Sequence, residues 1–439
     1  MSKTVPQNPI NYPDFHRMNQ NKPSKMANNV LPEELMLCIF TRLPVKTIVR
    51  FKSVCKPWFH LFSTPEFKKL HQAQFSGYPE DQSFIIHIFN HWSSEPKDQF
   101  YIFNIEYGKK KPTILDHPFA HAQKPCLETV GCCNGLVCIR RGQDVVLWNP
   151  ATKMYKTVPL KDCGPNRFVS LGFGYDSRKA DFKVVMVDTK LKSVEIYSVN
   201  LDSWITINFA SQFSWFKSTN DFIVNGNPYW IGRFDEEEVL VYFDVLELVF
   251  KIVPVPTDYW MGLYEDTEDD SDGFDEETVM DDWNYWDRYE YEDTKTVTKT
   301  DIKYVDWNGA LGALITNDEV EYQKGIASIK RSSRIECVWV WVFDDIEGTW
   351  RNDNSFAPIK VDVNRVLNCI QNEKILGTIS FDKLCVLDLE AGIVKELFDG
   401  ASLGYWFEVY GYTASFAHIN GMENVVLKCE RNKMIDGSS

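Results

Sequence analysis

Two histidines offer the first candidate for site chemistry, since their spacing could in principle bring metal ligands together. His117 and His121 lie four residues apart, but Pro118 and Pro125 prevent a regular helix from placing both on one face. A zinc site needs three or four converging ligands, and no glutamate stands in the register of a zinc protease. We therefore interpret both as loop histidines and expect neither a metal nor a cofactor.

Cysteines are the second candidate. The chain has 11, an odd number, and none forms a C-x-x-C pair. Cys132, Cys133 and Cys138 lie close together, but adjacent residues of a strand point to opposite faces of the sheet. We interpret them as reduced, buried thiols with a structural role, and we predict no catalytic residue.

The elements around these residues are predicted to be β-strands that repeat. After about Ser83, β-branched and aromatic runs alternate with Asn-Gly and similar turns. Each unit has an apolar strand that ends at a polar anchor, then a turn and another strand. The anchors are Asn104, Asn149, Ser198, Asp244, Asp344 and Asp388, at intervals of 45, 49, 46, 100 and 44 residues. Repeats of this length predict a six-bladed β-propeller, closed by an irregular unit between Tyr405 and Cys429.

The interval of 100 residues is explained by two insertions. The markers Asn134-Gly135, Asn225-Gly226 and Asn308-Gly309, with Asn372-Glu373 in an equivalent position, place one excess before residue 308 and a smaller one after it. The first is the acidic insertion 258–296, which holds 15 acidic residues and one basic residue between 265 and 293. We interpret it as a self-repelling loop. The alternative is a lure for a basic target.

Helical periodicity dominates a different region, from Leu31 to about Phe75. Leu35, Ile39 and Leu43 recur every four residues, and Pro44 can end one helix and open the next. A helical segment of about 45 residues is too small to bury its apolar face alone. We therefore expect a partner surface to cover part of it; the alternative is that these helices only pack against the propeller.

This helical segment resembles the plant F-box motif. The matching residues are Leu31-Pro32-Glu33-Glu34-Leu35, Leu43-Pro44-Val45-Lys46, Arg50-Phe51-Lys52, Val54-Cys55-Lys56 and Trp58. Pro57 departs from the pattern, but it falls near a helix start, where a missing N–H matters little. The downstream segments Cys133 to Val137, Leu147 to Thr152, Gly172 to Asp176 and Asp181 to Val185 resemble the kelch-like F-box-associated domain of plants.

The resemblance implies a fold, a domain order and partners. The fold class is a small helical F-box followed by a six-bladed, propeller-like all-β domain. The predicted domains are a disordered leader (1–29), the F-box (30–76), the propeller with its insertion (83–430) and a flexible tail (431–439). The F-box would bind a Skp-type adaptor, and through it a cullin and a RING subunit, while the propeller captures a protein target for ubiquitination. The implied adaptor-binding residues are Leu31, Pro32, Leu35, Ile39, Phe40, Leu43, Pro44, Val54, Cys55 and Trp58.

Composition argues against several other classes. Outside the acidic insertion the charges almost cancel, so no clustered positive face predicts nucleic-acid binding. We expect no membrane span and no signal peptide, and a location in the cytosol or nucleus. The alternatives that remain are an interaction scaffold that degrades nothing and, with less support, a propeller enzyme. Gly172-x-Gly174 is too short for the dinucleotide loop that such an enzyme could use.

Overall fold

The computed structural model describes residues 32–75, 83–90, 97–105, 112–119, 127–160, 169–188, 193–208, 213–216, 222–234, 237–256, 295–322, 335–355, 363–370, 374–379, 383–397 and 407–426. The predicted leader 1–29, the tail 431–439 and nearly all of the acidic insertion 258–296 lie outside these residues. So do Leu31, His121 and Asn372-Glu373.

Four short helices form the first described region, which we call the helical region (residues 32–75). They are α1 (Glu33–Phe40), α2 (Val45–Phe51), α3 (Lys56–Leu61) and α4 (Pro65–Phe75). Pro32 and Pro44 occupy the N-cap positions of α1 and α2, where a missing N–H breaks no helical bond. The Thr64 hydroxyl accepts a hydrogen bond from the Phe67 N–H at 3.2 Å and so caps α4.

Twenty-six strands follow in the part of the chain that the structure describes. In chain order they are β1 (Ser83–Asn90), β2 (Lys97–Asn104), β3 (Thr113–Ile114), β4 (Leu127–Cys133), β5 (Leu136–Arg141), β6 (Asp144–Asn149), β7 (Met154–Pro159), β8 (Ser170–Asp176), β9 (Asp181–Asp188), β10 (Ser193–Ser198), β11 (Ser203–Asn208), β12 (Phe213–Phe216), β13 (Phe222–Val224), β14 (Asn227–Phe234), β15 (Glu237–Asp244), β16 (Val249–Val253), β17 (Lys295–Trp307), β18 (Ala310–Tyr322), β19 (Ile335–Asp344), β20 (Thr349–Ser355), β21 (Val363–Ile370), β22 (Lys374–Ile379), β23 (Lys383–Asp388), β24 (Ile393–Glu396), β25 (Phe407–Tyr412) and β26 (Glu423–Asn424).

These strands form six antiparallel sheets, which confirms the predicted six-bladed arrangement. Their strand orders are β25-β1-β2-β3, β4-β5-β6-β7-β26, β8-β9-β10-β11, β12-β14-β15-β16 with β13 also on β14, β17-β18-β19-β20, and β21-β22-β23-β24. Contacts between blades run around a ring: β25 contacts β4, β4 contacts β8, β8 contacts β14, β13 contacts β17, β17 contacts β21, and β21 contacts β25. Buried aliphatic and aromatic side chains fill the space between successive blades.

The ring is closed because a strand from the end of the propeller pairs with a strand from its beginning. β25 pairs with β1, with Ser83 opposite Tyr412 and Ile88 opposite Phe407. This confirms the closing unit predicted between Tyr405 and Cys429, and it leaves no blade open at the join.

Each predicted anchor is the last residue of the third strand in the strand order of its blade. The Asp244 carboxylate accepts hydrogen bonds from the N–H groups of Leu246 and Glu247, both at 3.0 Å. The Asp344 carboxylate does the same for Ile346 and Glu347 at 2.9 and 3.1 Å. Because a short polar side chain can satisfy the backbone donors of its own turn, the same residue types recur at this position.

The Asn-Gly markers form the turns of the hairpins β4–β5, β13–β14 and β17–β18. In the hairpin β13–β14, Asn225 and Gly226 have φ angles of 50° and 79°, the left-handed pair that a two-residue hairpin requires. The second predicted insertion takes a different form from a simple loop. Part of the excess lies in long strands, because β17 and β18 have 13 residues each and pair continuously from Trp307–Ala310 to Lys295–Tyr322.

Candidate functional site

The helical region leaves apolar side chains of α1 uncovered. Leu35 is 51% exposed and Ile39 is 46% exposed, and their spacing of four residues places them on one face of the helix. Phe40, on the other side of the helix, is only 6% exposed. An uncovered apolar face on so small a unit is typical of a surface that a partner covers.

The turn between α2 and α3 adds to the exposed apolar surface. Val54 is 61% exposed, and Cys55, the N-cap residue of α3, is also exposed. Phe59 on α3 is 51% exposed, although the sequence did not single it out as a binding residue. Its position four residues after Cys55 on the predicted helix was the signal that could have identified it.

An aromatic cluster holds these helices together from inside. The Phe40 ring packs edge to face against Trp58 at 4.9 Å and against Phe62 at 5.0 Å between centroids. Ile48 and Phe62 have no exposed surface. The imidazole Nε2 of His71 lies 2.7 Å from the Leu43 carbonyl oxygen, which ties α4 to the turn after α1.

The structure divides the predicted binding residues into two groups. Pro32, Leu35, Ile39, Pro44, Val54 and Cys55 are exposed, whereas Leu43 and Trp58 are partly buried and Phe40 is buried. Leu31 lies outside the described residues. Phe40 and Trp58 therefore support the exposed face from below, and direct adaptor contact by any of these residues stays a prediction.

A second face of the helical region is covered by the propeller. Phe416, in the segment that follows β25, is buried together with Phe67, Phe62 and Ile48. That segment is itself fixed: the Asn149 side-chain amide donates hydrogen bonds to the carbonyls of Ser415 at 3.0 Å and Ala417 at 2.9 Å. The helical region thus packs on the part of the chain that completes the ring.

The first candidates for chemistry lie within packed parts of the propeller. His117 is 4% exposed, and its ring lies 5.1 Å from that of Phe100. Cys132, Cys133 and Cys138 are free thiols, and burial raises the pKa of all three. In the described part of the chain no group of three or more His, Cys, Asp or Glu residues could hold a metal ion.

Gly172 and Gly174 lie inside β8 and not in a phosphate-binding turn. A Cβ at Gly172 would collide with the Trp230 side chain, so these glycines allow close packing of neighbouring blades. Among the described helices, none is long and apolar enough to cross a membrane.

Comparisons with known proteins agree with this architecture. A family model described as F-box domain matches residues 29–70, and one described as F-box associated beta propeller domain matches residues 97–267. The putative F-box protein At3g16210 of Arabidopsis thaliana is 26% identical over 250 residues, which are 53% of this chain and 64% of that protein. The F-box/kelch-repeat protein At3g23880 of the same plant is 27% identical over 255 residues, which are 55% of this chain and 70% of that protein.

The first of these matches spans less than two thirds of the relative's own length. Among solved structures, a functionally unknown protein from Desulfotomaculum acetoxidans is similar at a TM-score of 0.35 and 12% identity, covering 75% of this chain and 99% of that one. A similarity at that level has no bearing on function. The two family models and the plant relatives confirm the resemblance: the helical region matches the F-box domain model, and part of the propeller matches the F-box associated beta propeller model. We therefore refer to the helical region as the F-box below.

Proposed function

We propose that this chain is the substrate-recognition subunit of an SCF-type cullin–RING ubiquitin ligase. The exposed face of the F-box would bind a Skp-type adaptor, and the propeller would capture a protein target. The chain would itself be non-catalytic and would act by proximity, since holding a target lysine near the charged conjugating enzyme raises its effective concentration. The location proposed with this role is the cytosol or nucleus.

The supporting observation is the contrast between the two faces of the F-box. Phe67 and Phe62 are buried together with Phe416 of the chain's own closing segment, whereas Leu35, Ile39 and Val54 are 51%, 46% and 61% exposed. The propeller therefore does not complete the packing of the F-box. Removing an apolar anchor from a partner interface typically reduces binding by about 2 kcal/mol.

Chain topology adds a second supporting observation. The F-box contacts the ends of the propeller strands where the Asn-Gly hairpins lie, because Ser415 donates a hydrogen bond to the Asn134 carbonyl at 2.7 Å. β16 ends and β17 begins at the opposite face of the ring. That opposite face is available for a target while the F-box face engages the adaptor.

The test is titration of the purified chain with a purified plant Skp-type adaptor by calorimetry. We expect binding by the parent chain and a loss of roughly 30-fold in affinity, about 2 kcal/mol, for Leu35→Ala. Ile346→Ala is the matched control, because Ile346 is 96% exposed on a propeller turn far along the chain. Equal affinities of the parent chain and Leu35→Ala, or no binding by the parent chain, would contradict the proposal.

A further inference from the structure

The turn between α2 and α3 presents a serine beside the exposed apolar surface of the F-box. Ser53 is exposed and follows Lys52, the C-cap residue of α2, and the next residue, Val54, is 61% exposed. The Ser53 hydroxyl donates a hydrogen bond to the Arg50 carbonyl at 2.7 Å. Cys55 has the extended backbone angles φ −157° and ψ 157°. The Ser53 oxygen therefore lies at the surface of a short non-helical segment, where an enzyme can reach it.

Basic residues surround this serine in the sequence. Residues 35–65 contain five Lys and Arg and no Asp or Glu, whereas the whole protein has a net charge of −15. Lys46 and Arg50 on α2 are exposed, and they precede Ser53 by seven and three residues, which places all three on one side of the helix. Lys56, the first residue of α3, follows Ser53 by three residues and is exposed as well. Ser53 thus lies in a positive region of an acidic protein.

Arg50 gives Ser53 the charge pattern that one class of enzyme selects. Protein kinases distinguish substrates by the charges that flank the acceptor residue, and kinases with an acidic substrate cleft favour an arginine three residues before the serine. Ser63 offers a comparison, because it also lies two residues after the end of a helix, and its hydroxyl donates a hydrogen bond to the Phe59 carbonyl at 2.6 Å. His60, and not an arginine, stands three residues before Ser63. Of these two turn serines, Ser53 alone has the arginine.

A phosphate on Ser53 would change the surface proposed to bind the adaptor. A phosphoserine carries a charge of about −1.5 to −2 at pH 7. Val54 and Cys55, the next two residues, are exposed and belong to that surface. Adaptor binding removes water from an apolar surface, and an unpaired charge that becomes buried there is strongly unfavourable. Arg50 and Lys56 can pair with the phosphate while the turn is exposed to water, so the modified chain stays folded and unbound.

We propose that Ser53 is a phosphorylation site for a serine/threonine kinase that selects basic substrates, and that the phosphate prevents adaptor binding. The blocking effect rests on the function proposed above. In the reaction, the Ser53 Oγ attacks the γ-phosphorus of ATP, an O–P bond forms, and the bond from that phosphorus to the oxygen it shares with the β-phosphorus breaks. ADP leaves with that bridging oxygen, and the hydroxyl proton passes to the catalytic carboxylate of the kinase. Because a bound adaptor would cover Ser53, the unassembled chain is the substrate.

The modification is tested on the full chain with ATP, Mg²⁺ and the catalytic domain of a calmodulin-dependent protein kinase, a class that selects arginine three residues before serine. Peptide mass spectrometry locates the phosphate and measures its rate of appearance. We expect phosphate on Ser53 and none on Ser63. Arg50→Gln should slow the reaction at Ser53 by roughly 10-fold or more, whereas Lys46→Gln, which removes another exposed cation of α2, should slow it much less. No phosphate on Ser53 of the folded chain, or equal rates in the two variants, would overturn the proposal.

The effect on assembly is measured by calorimetric titration of the phosphorylated and unmodified chains with the purified Skp-type adaptor. We expect phosphorylation to weaken binding by at least about 30-fold, and phosphatase treatment to restore it. Ser53→Ala should bind as the unmodified chain does and should not respond to kinase and ATP. Equal affinities of the phosphorylated and unmodified chains would overturn the proposed block. If the unmodified chain does not bind the adaptor, the proposed function and the block both fail, whereas the phosphorylation site is still decided by mass spectrometry.

Discussion

The F-box and the propeller differ in how far their apolar side chains are buried. In the F-box, Leu35 and Ile39 are about half exposed, whereas in the propeller Trp148 and Trp230 have no exposed surface. The difference follows from size and repetition. Each blade buries both of its faces against two neighbours, but four short helices enclose only a few side chains, such as Phe40, Ile48 and Phe62. The propeller therefore contributes most of the stability, and the helices provide the exposed apolar surface for a partner.

The largest effect of a substitution on stability is expected in the propeller interior. Trp230→Ala removes a ring packed in the space that Gly172 leaves open, and we expect a loss of about 3–5 kcal/mol in the free energy of unfolding. Chemical denaturation followed by tryptophan fluorescence measures it. Ile346→Ala, at an exposed turn, should change stability by less than about 0.5 kcal/mol. Similar losses in both variants would show that burial in the propeller does not determine its stability.

A pair of isoleucines tests the same contrast within the F-box. Ile48 is fully buried, and we expect Ile48→Ala to reduce stability by about 2–5 kcal/mol. Ile39 is 46% exposed, and Ile39→Ala should leave stability nearly unchanged while weakening adaptor binding by about 2 kcal/mol. Denaturation and calorimetry on the same two proteins give both numbers. A large stability loss in Ile39→Ala would mean that this residue belongs to the interior.

Much of the propeller could be predicted from the sequence because its repeat has a local cause. Each anchor satisfies the backbone donors of its own turn, so the position of Asp244 or Asp344 marks the end of a third strand without knowledge of the rest of the fold. Asn225-Gly226 similarly marks a hairpin, because few other residues adopt two successive positive φ angles. Strand lengths could not be predicted in this way, and the long hairpin β17–β18 was interpreted as part of a loop insertion.

The F-box surface was less predictable. Periodicity places Leu35, Ile39 and Phe40 on one broad apolar stripe, but it does not say which edge of the stripe faces inward. That depends on contacts distant in sequence, such as those of Phe416 with Phe67 and His71. No local pattern indicated that the closing segment, more than 300 residues away, covers part of the F-box.

The anchor Asn149 allows a test of how the closing segment is fixed to the propeller, with a smaller expected effect on stability. Asn149 is fully buried; its side chain accepts hydrogen bonds from Ala151 and Thr152 and donates to the carbonyls of Ser415 and Ala417. We expect Asn149→Ala to reduce stability by about 2–3 kcal/mol, since several buried groups lose their partners. Asp344→Ala should have a smaller effect, because its turn is exposed to water. Equal denaturation midpoints for the two variants would show that the closing segment does not depend on Asn149.

The smallest predicted effect is a pH dependence of the contact between the two regions. Burial lowers the pKa of His71 and of His418, and for His418 the charges of Lys68 and Lys52 add to the effect. Above the ordinary value of about 6.5 both imidazoles are neutral in the folded and unfolded chain, so they carry no penalty. As the pH falls below that value, the unfolded chain binds protons first, and stability must decrease.

Many carboxylates also titrate in acid, so the useful quantity is the change in denaturation midpoint between pH 7.5 and 5.5 in the parent chain minus that in His418→Gln. We expect the parent chain to lose more, because burial of His418, with the charges of Lys68 and Lys52, opposes its protonation in the folded chain. An identical change in both proteins would show that protonation of His418 is not opposed in the folded chain.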